Sequence, residues 1–105
     1  METFATDNNG SYAKTPAVTP ADLQVIEGAV PPACGSVTPC LTITGTGGTG
    51  SPTASAYRLT VTAKTTGNTY SIDRNAGTPS YPCTATGSDK GGCANTNSAG
   101  LGTWN

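Results

Sequence analysis

The chain has no histidine. That removes the commonest proton shuttle at neutral pH and the commonest nitrogen ligand for metals. Charge is scarce too, at 10% of residues against about 25% in an average soluble domain. Five basic residues face six acids, and a net charge of -1 offers little to a nucleic-acid backbone. The acids are scattered, so none pairs as a glycosidase dyad. There is no Gly-Lys-Ser/Thr sequence and no Gly-x-Ser-x-Gly elbow. The Gly45–Gly50 run is not followed by a helical pattern, so it is no phosphate cradle. These gaps lead to the expectation of a non-enzyme, with no catalytic residue, no cofactor and no metal site. No stretch is long and apolar enough to span a membrane, and none reads as a signal peptide.

In place of charge the chain carries 14 Gly, 8 Pro and abundant Thr, Ser and Asn. A disordered tail would ordinarily be more charged, so this composition fits a β-rich surface domain. Only 34% of residues are hydrophobic and 6% aromatic, which limits the chain to one small core. Its length suits a single domain over residues 1–105.

Small cores commonly need covalent help, and four cysteines can supply it: Cys34, Cys40, Cys83 and Cys93. Three pairings are possible; proximity along the chain favours Cys34–Cys40 and Cys83–Cys93. Each closure is worth about 2–3 kcal/mol if unstrained. The Cys83–Cys93 spacing is too wide for a zinc knuckle and wider than a reactive dithiol. Structural disulfides imply an oxidising, extracytoplasmic setting. The simplest way to reconcile that setting with the lack of an export signal is a trimmed chain. Met1 would then be an added start, and an export and anchoring segment would have preceded Glu2.

Local patterns place the elements. Phe4 and Ala5 fit the last turn of a helix, stopped at Asp7-Asn8-Asn9-Gly10. Asn9-Gly10-Ser11 matches a glycosylation sequon but reads better as that turn. Thr19-Pro20-Ala21-Asp22 carries an N-cap, a proline at the first helical position and a capping-box acid. Leu23, Ile26 and Val30 continue at helical spacing, so a short helix is expected near residues 20–28. Leu41-Thr42-Ile43-Thr44 alternates as a strand.

The clearest signal is a hairpin. Tyr57, Leu59, Val61 and Ala63 point to one face, Arg58, Thr60 and Thr62 to the other, and Tyr70 and Ile72 follow after a turn at Lys64–Asn68. Tyr57, Leu59, Val61, Tyr70 and Ile72 are therefore the expected sheet core. Ser80–Cys83 is a further strand-like segment. Asp73-Arg74 and Asp89-Lys90 read as solvated turn charges. Tyr81 and Trp104 are left as candidates for surface contacts.

Glu2–Tyr12, Tyr57–Arg74 and Cys83–Trp104, taken in that order, resemble the globular head of a type IV pilin or of its relative, the major pseudopilin of type II secretion. The first stretch resembles the family's helix exit, the second its central hairpin, and the third its C-terminal disulfide loop with a closing Trp. Together they cover roughly half of the chain. The apolar N-terminal helix that defines the family is absent from this sequence, and the Cys34–Cys40 pair is not a general family feature. The pseudopilins' calcium site has no match, because the Cys83–Cys93 loop offers only Asp89 as an acid.

The resemblance implies an α+β fold: a helix remnant and a short helix on an antiparallel sheet of three to four strands, ending in a stapled loop. It implies a structural subunit of an extracellular pilus or pseudopilus. Such a subunit would be a monomer when trimmed and a helical homo-oligomer when whole. It would be assembled by the pilus or secretion machinery and held in the membrane only through the missing helix. The alternative is a secreted adhesin or carbohydrate-binding surface module.

Overall fold

A computed structural model describes residues 1–104. It contains two helices, α1 (Glu2–Asp7) and α2 (Pro20–Ile26), and six strands: β1 (Cys40–Thr44), β2 (Ala56–Thr62), β3 (Thr69–Asn75), β4 (Thr78–Ser80), β5 (Pro82–Thr84) and β6 (Leu101–Thr103). The coarse α+β expectation holds, with more strands than the three or four anticipated. The strands form one antiparallel sheet in the order β1-β2-β3-β5-β6, with β4 also on β3. Among the described residues no helix is long and apolar enough to cross a membrane.

Both helices are set by local chemistry. The Thr19 hydroxyl accepts from the Asp22 N–H, while the Asp22 carboxylate accepts from the Thr19 N–H at 2.8 Å. This reciprocal box satisfies two of the helix's orphan donors. The Asp22 carboxyl is held below its ordinary range, chiefly by the Thr19 backbone N–H and then by Lys14. α1 stops where Asn9 and Gly10 take positive φ, and the Gly10 N–H donates back to the Ala5 carbonyl. At six residues α1 is too short to persist alone. Burial of Phe4 and Ala5 keeps it in place.

The register aligns apolar rows on one sheet face. Leu41, Val61 and Tyr70 are neighbours across β1, β2 and β3, as are Ile43, Leu59 and Ile72. The core proper is Phe4, Val18, Leu23 and Leu41, with Ile43, Leu59 and Val61 packed partly buried against it. Each fully buried side chain of this size contributes about 1.5–3 kcal/mol, so four make a modest core. The opposite face presents Thr42, Thr60 and Ser71 in one row, and the Thr60 and Ser71 hydroxyls bond at 2.8 Å.

Asp73 departs from the solvated-turn expectation. It lies within β3, directly across from Arg58 on β2, and is buried. The Arg58 Nε donates to it at 2.8 Å, and the Gly47 N–H donates at 3.1 Å. The charge is tolerated there because it is paired and hydrogen-bonded.

β4 and β5 are one strand with an interruption. Both keep a single register on β3, from Asn75↔Thr78 to Thr69↔Thr84, with a gap at Tyr81. Pro82 would face Ser71 and has no N–H to give. The Trp104 indole N–H takes that role and donates to the Ser71 carbonyl at 2.7 Å.

Both expected disulfides form, Cys34–Cys40 and Cys83–Cys93. Cys40 is on the edge strand β1, whereas Cys83 is on β5 between β3 and β6, and beside each disulfide the chain adds one bridge to an outer strand. Ala33 bridges Leu41 on β1, with Cys34 N–H donating to the Leu41 carbonyl. Ala94 bridges Thr103 on β6, with bonds of 2.7 and 3.0 Å in the two directions.

Candidate functional site

The helices cover only part of the apolar sheet face. A groove of about 340 Å³ remains between α2, the start of α1 and the sheet. Its walls include Met1, Leu23, Leu59, Val61, Ile72 and Trp104. Leu59, Val61, Tyr70 and Ile72, expected as sheet core, are thus half-buried groove walls. Tyr57 alone of that set is fully buried. α2 ends at Ile26, two residues short of expectation, and Ile26 lines the groove while remaining 40% exposed.

At one end of the groove, Tyr81 and Tyr70 pack edge-on against Trp104, with ring centroids 5.4 and 6.4 Å from it. Trp104 is 36% exposed and its N–H is already spent on Ser71. The two proposed surface residues, Tyr81 and Trp104, are therefore brought together in one cluster. Tyr70 also accepts from the Gly92 N–H at 3.3 Å, which ties the cluster to the stapled loop.

At the other end lies a polar knot. The Glu2 carboxylate accepts from Tyr57 at 2.7 Å and from Tyr12 at 2.8 Å, with Arg74 at 3.7 Å. Burial raises the Glu2 pKa, but the two tyrosine hydrogen bonds and Arg74 outweigh it, so the net shift is downward. Burial and the Glu2 carboxylate together push the Tyr57 hydroxyl well above the ordinary tyrosine value. Tyr12 and Tyr57 meet edge to face at 4.6 Å.

The second concavity, about 510 Å³, lies on the hydroxyl-rich face and is lined by Thr42, Thr60, Thr62, Thr69 and Arg58. It has no aromatic wall, and its Arg58 is engaged with Asp73. The apolar groove is the better candidate for contact with another chain segment.

One residue escaped the sequence reading. Asn68, the last residue of the expected Lys64–Asn68 turn, is 0% exposed. Its amide donates to the Asp89 carbonyl at 2.9 Å, and its carbonyl oxygen accepts from the Thr86 N–H at 3.0 Å. It joins the β2–β3 turn to the Cys83–Cys93 loop. Asn next to a positive-φ glycine, here Gly67, was the one available signal.

Comparison with protein-family models, with curated proteins and with solved structures found no match. Among the described residues no three Cys, Asp or Glu side chains are grouped as metal ligands.

Proposed function

We propose that this domain is the outer head of a structural subunit of an extracellular filament of the type IV pilin or pseudopilin class. The observation that carries the reading is the open apolar groove beside α1. Met1 and Thr3, at the start of α1, are among its walls. A helix running into α1 would lie along that groove and bury the half-exposed Leu59, Val61 and Ile72. Burying apolar surface contributes about 25 cal/mol per Å², which favours such a helix over open water. The same helix, continuing beyond the head, would pack into a filament core. Identical subunits joined head to tail give an open helical fibre.

Three further features support the reading. The head has a polar, Thr-rich outer sheet face. It is stapled twice. Its C-terminal loop is closed by a disulfide and followed by a Trp that packs back on the sheet. None of these requires bond-making chemistry, and the proposed role is mechanical.

The test uses the natural coding sequence in its native cells, with an antibody raised against this domain. Immunogold labelling along surface filaments, with a repeating density that accepts this head, is the expected result. Release of the domain as a monomer after cleavage of an ordinary signal peptide would overturn the proposal.

A further inference from the structure

We propose that Glu2 is an acid-released clamp that fixes the direction of α1 against the sheet. Four groups face its carboxylate. Tyr57 comes from β2, Arg74 from β3, Tyr12 from the loop after α1, and the Met1 ammonium from its own end. Tyr57 and Arg74 are direct cross-strand partners, so the sheet presents them side by side. One carboxylate thus ties three separate segments together.

The clamp matters because little else fixes the pitch of α1. The helix has six residues; Phe4 and Ala5 are buried near its middle, and Met1 before it packs only partly buried against the same core. Apolar contacts of this kind are non-directional, so they leave the helix free to rock. The Glu2 bonds lie at the helix's first residue and remove that freedom. The Tyr57 ring is buried and its hydroxyl donates to Glu2. Losing the acceptor strands a buried donor, so release carries a penalty that keeps the clamp shut at neutral pH.

Protonation turns one carboxylate oxygen from acceptor to donor and removes the charge that attracts Arg74. The folded-state pKa of Glu2 lies below its ordinary value of 4.5. The restraint is therefore fully present above the unfolded value and is lost as pH falls through the folded one. The clamp belongs to the isolated domain and stands apart from the filament reading, which is tested on native cells.

Residual dipolar couplings of the α1 amides, measured by NMR on the whole chain, report the helix direction relative to the sheet. At pH 6.5 the α1 and sheet couplings should fit one rigid orientation. At pH 3 the α1 couplings should shrink towards zero while those of β2 and β3 persist. Glu2→Gln should give the pH 3 pattern already at pH 6.5 and show no further pH dependence. Tyr57→Phe, which keeps the carboxylate and its other partners, should give an intermediate loss. Unchanged α1 couplings in the wild type at pH 3, or in Glu2→Gln at pH 6.5, overturn the clamp. Loss of the sheet couplings together with those of α1 also overturns it, because the restraint would then belong to the whole fold.

Discussion

Replacing Asn68 by Ala should destabilise this domain more than any other single change to an uncharged polar side chain. The substitution strands the Asp89 carbonyl and the Thr86 N–H, both now bonded to the Asn68 amide group. Each stranded group costs about 1–3 kcal/mol where water is excluded. Thr86 and Asp89 belong to exposed residues, so water can reach part of the gap. The expected loss is about 2–4 kcal/mol, against a total stability of about 5–15 kcal/mol for a domain. The melting temperature should fall by about 10–20 °C. Urea titration with the disulfides kept oxidised measures the change, and hydrogen exchange should show the loss of protection centred on Thr86 and Gly91. Asn68→Asp keeps one acceptor but buries a charge, so it should be no better. A loss below about 1 kcal/mol would refute the reasoning, because it would mean that the disulfide alone holds the loop.

Gly100 has φ +81°, and a Cβ there would lie against the Ala85 carbonyl, so Gly100→Ala should disrupt the β5–β6 pairing and cost about 2 kcal/mol or more by thermal unfolding. Gly77, with φ +88° and no neighbour in the way, is the control and should lose only about 1 kcal/mol from backbone strain when replaced by Ala. Trp104→Phe removes the donor to Ser71 while keeping a ring beside Tyr70 and Tyr81, and should cost about 1–2 kcal/mol in urea titration. Replacing Cys83 and Cys93 together by Ala should cost about 2–4 kcal/mol, and mapping of non-reduced peptides should find only the two local pairings.

Some elements were legible because their causes are local. The α2 start needs only Thr19, Pro20 and Asp22, all within four residues, and the structure has that box. The β2–β3 hairpin follows from alternation and a turn with Gly67, and its register places Leu59 against Ile72. Other elements have distant causes. Leu101-Gly102-Thr103 has no period of its own and becomes β6 because β5 and Ala94 supply partners on either side. Ser80 reads as strand-like, but Thr78 and Pro79 belong to a turn pattern and join it as β4 only because β3 runs past them.

The burial of Asp73 was within reach of the hairpin pattern, since the register that pairs Leu59 with Ile72 also sets Arg58 opposite it. Arg74, adjacent in sequence, pairs with Glu2 instead. The groove could not be read at all, because its walls come from the α1 start, α2, the sheet and Trp104, which only the whole fold brings together. The Glu2 knot joins residues up to 72 positions apart along the chain, Glu2 and Arg74, too far for any local pattern to show.

The residues just outside the two cystine loops guard the edges of the sheet. Ala33 shields the outer rim of β1 and Ala94 that of β6, so both boundary strands are already partnered at one point by the chain itself. An incoming strand would have to displace these bridges before it could extend the sheet, which disfavours growth by strand addition and amyloid-type stacking. Contacts through the broad surfaces or a helix are favoured over edge-to-edge pairing. Reducing agents, by loosening both guards at once, would be expected to replace that controlled geometry with sticky rims.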